Sequence, residues 1–300
     1  MKDKITLLDG AMGTELRNKG CTVPSHLDSI WSAQVLLDNP AMVQQVHQEY
    51  IEAGADVIIA NNYAVTQDLL DRVNLGYRLK ELTELSATLA QQAKSISGAD
   101  VQIAGSLPPL NTSYRADLVG TTPSIIKKYQ EILDVLAPKV DIIIIETMAS
   151  SREAIGALEA CKGLDKEVWL SYTLHGNRKN RLPSGELLEQ AIHAVTPYDF
   201  QAQLINCSAT NQLTEGLKVV AQHSGRPYGG YANPEEVRTY SDWQGLDKQP
   251  EDLRKASTQA VDIPQYLQAV EQWIQLGATI IGGCCRTRPE HIRAIRNSIN

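Results

Sequence analysis

Asp141-Ile142-Ile143-Ile144-Ile145-Glu146-Thr147 decides the fold class, because four consecutive isoleucines leave a strand with no polar face. A strand covered on both sides belongs to a parallel sheet flanked by helices. Working outward, seven more short runs rich in β-branched or small apolar residues recur at Ile5–Asp9, Ala55–Ala60, Val101–Ser106, Val168–Leu174, Ala202–Cys207, Tyr228–Tyr231 and Ala278–Gly283. Helical spacing separates them. Asn39 reads as an N-cap, Pro40 as the first helical residue, and Val43, Val46, Tyr50 and Ile51 as one buried stripe. Glu81–Ile96 and Ser124–Leu136 repeat the pattern, and Pro289 opens a last helix carrying Ile292, Ile295 and Ile299. Eight strand–helix alternations predict one α/β domain over residues 1–300, a single (β/α)8 TIM barrel. Two connections exceed a simple turn, from Gly10 to Asp38 after strand one and from Ala232 to Asp262 after strand seven. Both are expected as extended loops on the rim where barrels of this kind place their active sites.

Composition narrows the function classes. Hydrophobic residues make up 43% of the 300 and charged residues 21%, enough for a sizeable core without staples. A net charge of −7, with no basic cluster, argues against nucleic acid as a partner. Asp9 and Glu15 interrupt the first apolar run before it reaches signal-peptide length, and no apolar stretch approaches the ~20 residues that span a bilayer. Five cysteines, an odd number with one adjacent pair, do not form a secreted disulfide framework. A cytoplasmic chain with reduced thiols is the expectation, and the oligomeric state is left open.

Three of those thiols fall on one rim. Cys207 ends strand six in Leu204-Ile205-Asn206-Cys207-Ser208, and Cys284-Cys285 ends strand eight in Gly282-Gly283-Cys284-Cys285-Arg286. Neighbouring residues of a regular strand face opposite ways, so the pair shares a metal only where the chain curls, as Gly282 and Gly283 permit. Three protein ligands leave one of zinc's four positions open, and three thiolates make Zn2+ a poor activator of water but a suitable holder of a substrate thiolate. Buried small hydrophobes, a vicinal disulfide and a structural site are the competing readings. Cys161 reads as core and Cys21 as an unpartnered loop residue. Asp9 and Glu146 stand at the ends of strands one and four, where each needs a partner: a salt bridge, a helix cap or a substrate ammonium. Gly10 and Gly13 would let backbone N–H groups approach a carboxylate. His175 is the one histidine expected on the rim; His47, His193 and His291 fall on helices and read as surface or satisfied packing residues.

At these residues the chain resembles the homocysteine S-methyltransferase family, nearly end to end. The matching elements are Leu8-Asp9-Gly10-Ala11-Met12-Gly13-Thr14-Glu15-Leu16, Glu146-Thr147, Asn206-Cys207-Ser208-Ala209, Asn233 with Glu236, and Gly282-Gly283-Cys284-Cys285-Arg286-Thr287. The resemblance implies that Cys207, Cys284 and Cys285 bind zinc, that homocysteine's sulfur takes the fourth position, and that Asp9 and Glu146 meet its amino group. It also implies substrate contacts at Gly10, Met12 and Asn206, and donor or lid contacts at Asn62, Tyr63, Tyr231, Asn233 and Glu236. The chain departs from the family at Ala60-Asn61-Asn62-Tyr63, where small hydroxyl residues are usual, and at Ala232-Asn233-Pro234-Glu235-Glu236, which replaces Pro-Asn-Ser-Gly-Glu. At 300 residues no folate or cobalamin domain is expected, which points to a small methyl donor. A sulfonium leads, S-methylmethionine before S-adenosylmethionine. Betaine is the alternative, for which Trp31, Tyr63, Tyr231 and Trp243 supply the aromatic residues of a cage. A non-catalytic zinc-binding barrel and a metal-dependent hydrolase are the readings from other classes.

Overall fold

The computed structural model of the chain describes residues 4–27, 29–241 and 257–299. Eight parallel strands form one sheet: β1 (Thr6–Leu7), β2 (Val57–Ile59), β3 (Gln102–Leu107), β4 (Ile142–Met148), β5 (Glu167–Tyr172), β6 (Ala202–Ala209), β7 (Tyr228–Asn233) and β10 (Ile280–Gly283). Their order is β1-β10-β7-β6-β5-β4-β3-β2. The edges meet, since Leu8 bridges Val57, the Asp9 amide donates to the Val57 carbonyl at 3.0 Å, and the Asp56 amide donates to the Leu7 carbonyl at 2.7 Å. A closed (β/α)8 barrel results.

The isoleucine run shows how the strand pattern becomes two core layers. Ile142 and Ile144 join Leu8, Val57, Ala104, Trp169, Leu204 and Tyr231 in one buried cluster, while Ile143 and Ile145 join the cluster that packs strands against helices. Alternation within the strand divides them, and all four are fully buried. Each such burial stabilises by roughly 1.5–3 kcal/mol.

The helices start where the sequence places them. In α3 (Pro40–Glu52) the Asn39 side chain accepts from the Met42 amide, Pro40 sits in the first turn, and Val43, Val46, Tyr50 and Ile51 are buried. Helix α5 (Leu79–Ser97) ends on Gly98, whose φ of 65° suits a residue without Cβ. The segment after β1 is ordered into α1 (Met12–Asn18) and α2 (Ala33–Asp38), because Leu16, Val35 and Leu36 supply apolar contacts to the core. After β7 the chain forms an antiparallel ribbon of β8 (Glu235–Val237) and β9 (Thr258–Ala260); Trp243 lies outside the described residues. His47 corrects the expectation of a surface or satisfied histidine. It is fully buried with neither ring nitrogen paired, and burial lowers its pKa to about 4. Among the described residues no helix is long and apolar enough to cross a membrane.

Candidate active site

Two strands carry site residues on irregular backbone at the barrel mouth. The β4–β5 register shifts between Ile145 and Met148, and the β6–β7 register shifts between Asn206 and Ala209. Inside these bulges Thr147 and Cys207 take left-handed φ values of 60° and 49°. Such backbone costs about 1–3 kcal/mol at a residue with Cβ and persists only where neighbours hold it. Asn206 does the holding. Its Oδ1 accepts from the Thr147 amide at 2.8 Å and from Ser171 Oγ at 2.7 Å, and its Nδ2 donates to Thr147 Oγ1 at 2.8 Å. Fully buried, Asn206 does not line the mouth cavity, so its place is behind the site.

Cys284 and Cys285 converge through a turn. The Thr287 amide and hydroxyl donate to the Cys284 carbonyl at 3.0 and 2.6 Å, and Arg286 takes a φ of 69° at the third position. Gly282 and Gly283 do not supply the curl, since neither has a left-handed φ. They allow close packing instead: a Cβ on Gly282 would lie 2.5 Å from Leu8 Cβ, and one on Gly283 would lie 2.3 Å from Thr287 Oγ1. The three Sγ atoms of Cys207, Cys284 and Cys285 lie within 4.8 Å of one another, with Cys207 and Cys285 at 3.6 Å. Tetrahedral zinc with Zn–S bonds of ~2.3 Å separates its sulfurs by about 3.8 Å, so this thiol set suits such an ion. Hydrogen bonds with Cys207 and Cys284 push the pKa of the Cys285 thiol well below its ordinary value, while hydrogen bonds with Cys207 and Cys285 push that of Cys284 well above.

Beside the thiols are the two carboxylates. Asp9 Oδ2 accepts from the Ile59 amide at 2.8 Å. Glu146 accepts from Ser106 Oγ at 2.6 Å and from Tyr231 Oη at 3.0 Å. Both are buried, and among the described residues neither has a cationic partner in an ion pair. Burial pushes Asp9 well up and brings Glu146 to about 7; repulsion from Glu146 adds to the rise at Asp9. A buried carboxylate in this condition gains from an incoming cation.

Asp9, Glu146, the three cysteines, Gly10, Met12, Tyr63 and Tyr231 all line one cavity of about 270 Å³. Asn62 does not; its side chain joins β2 to β3 by donating to the Ser106 carbonyl at 2.7 Å and accepting from the Ser106 amide at 3.0 Å. Glu236 also lies elsewhere, bonded to Gln259 on the outer ribbon, and Asn233 lines a neighbouring cavity. His175 is absent from the thiol cavity, whereas His26, between α1 and α2, lines it with Trp31, Ser113 and Tyr114. Tyr114 Oη lies 2.8 Å from Cys207 Sγ, 93 residues away in sequence. Of Ser106, Tyr114 and His26, Ser106 alone carries a strand-end signal in the sequence, a buried hydroxyl near the end of β3 that donates to Glu146.

Residues 6–299 match the sequence profile of the family described as homocysteine S-methyltransferase. The chain belongs to that family. As a homocysteine S-methyltransferase family member it is similar to homocysteine S-methyltransferase of Escherichia coli (strain K12), at 28% identity over 311 residues, spanning 98% of this chain and 95% of that protein. Homocysteine S-methyltransferase YbgG of Bacillus subtilis (strain 168) is 26% identical over 310 residues, spanning 97% and 93%. The metallated form of the E. coli homocysteine methyltransferase MmuM has the same fold with a TM-score of 0.80 at 26% identity, covering 99% of this chain and 97% of that one.

Proposed function

We propose that this chain methylates the sulfur of homocysteine to give methionine, using a small sulfonium donor and one zinc ion held by Cys207, Cys284 and Cys285. The observation that carries this reading is the thiol cluster and two buried carboxylates around one cavity in a homocysteine S-methyltransferase family member. Zinc with three thiolates would keep the substrate sulfur deprotonated near neutral pH.

The chain's own residues do the rest. Asp9 and Glu146 receive the homocysteine ammonium, which supplies the positive partner these carboxylates lack within the protein. Ser106 and Tyr231 hold Glu146 in place by donating to both of its oxygens. Gly10 and Met12, on the wall where α1 begins, face the amino-acid end of the substrate. In the transfer the thiol proton leaves to solvent, and the sulfur lone pair forms the new S–CH3 bond. The donor's S–CH3 bond breaks with its electron pair, so a cationic sulfonium departs as a neutral thioether. Neutralisation of charge in a cavity bordered by anionic groups favours donors that begin positive. From S-methylmethionine and homocysteine the products are two methionines and a proton.

Homocysteine and the donor are then the chain's small-molecule partners. The free, partly buried cysteines of the cluster require a reducing compartment, which supports the cytoplasm. Methionine formation should be measured with the zinc-loaded chain and equal concentrations of S-methylmethionine, S-adenosylmethionine and betaine. S-methylmethionine is expected to give the fastest turnover; faster turnover with betaine, or none with any donor, would overturn the assignment.

A further inference from the structure

Away from the barrel mouth, a second group of metal-ligating side chains stands on two neighbouring helices. Helix α8 (Leu188–Val195) buries Leu188, Ala191, Ile192 and Val195, which turns Glu189 and His193 outward, one above the other at i and i+4. Helix α9 (Thr210–His223) packs beside it, buries Leu213, Leu217 and Val220, and ends on His223. One ligand atom each from Glu189, His193 and His223 lie within 4.8 Å of one another. The two imidazole rings meet edge to face with centroids 5.1 Å apart, and His223 Nε2 lies 3.9 Å from Glu189 Oε1.

Nothing competes for these groups. Among the described residues the three side chains make no hydrogen bond, and no lysine or arginine pairs with Glu189. The helix ends that carry the histidines are also held together. Arg226, three residues after His223, reaches the chain just past α8, donating to the Tyr198 and Phe200 carbonyls at 3.0 Å each and to the Thr196 carbonyl at 3.4 Å. Its guanidinium lies 4.1 Å from the centroid of the Phe200 ring. The last turns of α8 and α9 are latched by these contacts, so an incoming ion has only side chains to order. Tetrahedral zinc with bonds of ~2.0–2.1 Å separates its ligand atoms by about 3.3 Å, and small rotations of the exposed Glu189 and His193 close that gap.

We infer that Glu189, His193 and His223 form a second metal site, for a divalent transition-metal ion with zinc foremost, which staples α8 to α9. Imidazole nitrogen and carboxylate oxygen are both zinc ligands, and three of them leave the fourth position to water. Solvent-exposed imidazoles hold zinc more weakly than three thiolates at the barrel mouth, so dialysis empties this site first. Helix α9 has 14 residues and is about 20 Å long, which sets the ion at the far end of the barrel from Cys207. Its contribution is to the stability of the helix layer. The inference uses none of the residues assigned to methyl transfer and does not rest on that reading.

The test is calorimetric titration of zinc chloride into the dialysed wild type and into a double variant carrying His193→Asn and His223→Asn. Wild type should take up one zinc more than the double variant, with a Kd below about 100 µM for that extra ion. Glu189→Gln, which removes the carboxylate charge alone, should weaken the same ion about tenfold. Thermal melting gives a second readout. Without added zinc the wild type and the double variant should melt together, because exposed substitutions change stability little. Added zinc should then raise the wild-type melting temperature above that of the double variant, since an ion that binds only the folded chain stabilises it. Equal zinc counts in the two proteins, an extra ion held only above about 100 µM zinc, or the same melting shift in both overturns the inference.

Discussion

The carboxylates and the thiols share one cavity but are built in opposite ways. Asp9 and Glu146 sit where regular strands end, held by one backbone amide and two hydroxyls, and the unfavourable term falls on their charge. Cys207 and Cys285 sit on a bulge and in a turn, where the unfavourable term falls on the backbone, at φ values of 49° for Cys207 and 69° for the adjoining Arg286. In the proposed reaction an incoming ammonium would relieve the first, and an incoming metal would use the convergence produced by the second. The two halves of the site should therefore fail separately.

The largest effect is expected on the thiol side. Cys207→Ser, Cys284→Ser or Cys285→Ser should each lose the metal after dialysis and lower turnover by at least about a hundredfold. Circular dichroism should still report a folded barrel, since these partly buried side chains contribute little to the core. Metal analysis showing one zinc per chain in all three variants would break the comparison.

On the carboxylate side, Glu146→Gln should weaken homocysteine binding about tenfold to a hundredfold while leaving zinc content intact. The pH dependence sharpens this. Glu146 has its pKa raised to about 7 from 4.5, so the substrate-free folded chain holds this proton more tightly than the unfolded chain. The stability linked to it is full below the unfolded value and is lost as pH rises through about 7. At pH 8 Glu146→Gln should thus melt no lower than wild type, and can gain up to ~3 kcal/mol. Homocysteine affinity should rise with pH up to about 7, as the carboxylate ionises, then level off; titration at fixed zinc between pH 6 and 8 checks this.

The smallest effect should come from the residue that links the two sides. Asn206→Ala removes the bonds that hold Thr147 in its bulge beside Glu146. It should cost about 1–3 kcal/mol in thermal unfolding and several-fold in both metal affinity and homocysteine KM. A change in one alone would mean that the bulges on β4 and β6 are not coupled.

The barrel was legible in the sequence because its signals are local: a run such as Ile142–Ile145 states its own burial, and Asn39-Pro40 states where a helix starts. The thiols and carboxylates were legible because each ends a strand, and parallel strand ends of a barrel share a rim. Less legible was anything set by contacts across the mouth. The registers that slip at Thr147 and Cys207 depend on Asn206 reaching from one strand to another. Glycines before Cys284 suggested a flexible curl, yet their role is close packing against Leu8 and Thr287. Tyr114 and His26 carry no strand-end signal, since both come from connections. Asn62 was expected among the donor or lid contacts, but it lies in the irregular segment after β2, where its side chain bonds the Ser106 backbone while Ala60, Asn61 and Tyr63 line the cavity.

The most direct test is X-ray absorption at the zinc edge of the loaded chain, before and after homocysteine is added. Three sulfur neighbours from Cys207, Cys284 and Cys285 should become four as the substrate thiolate joins them. A sulfur count that stays at three in the presence of saturating homocysteine would contradict the account.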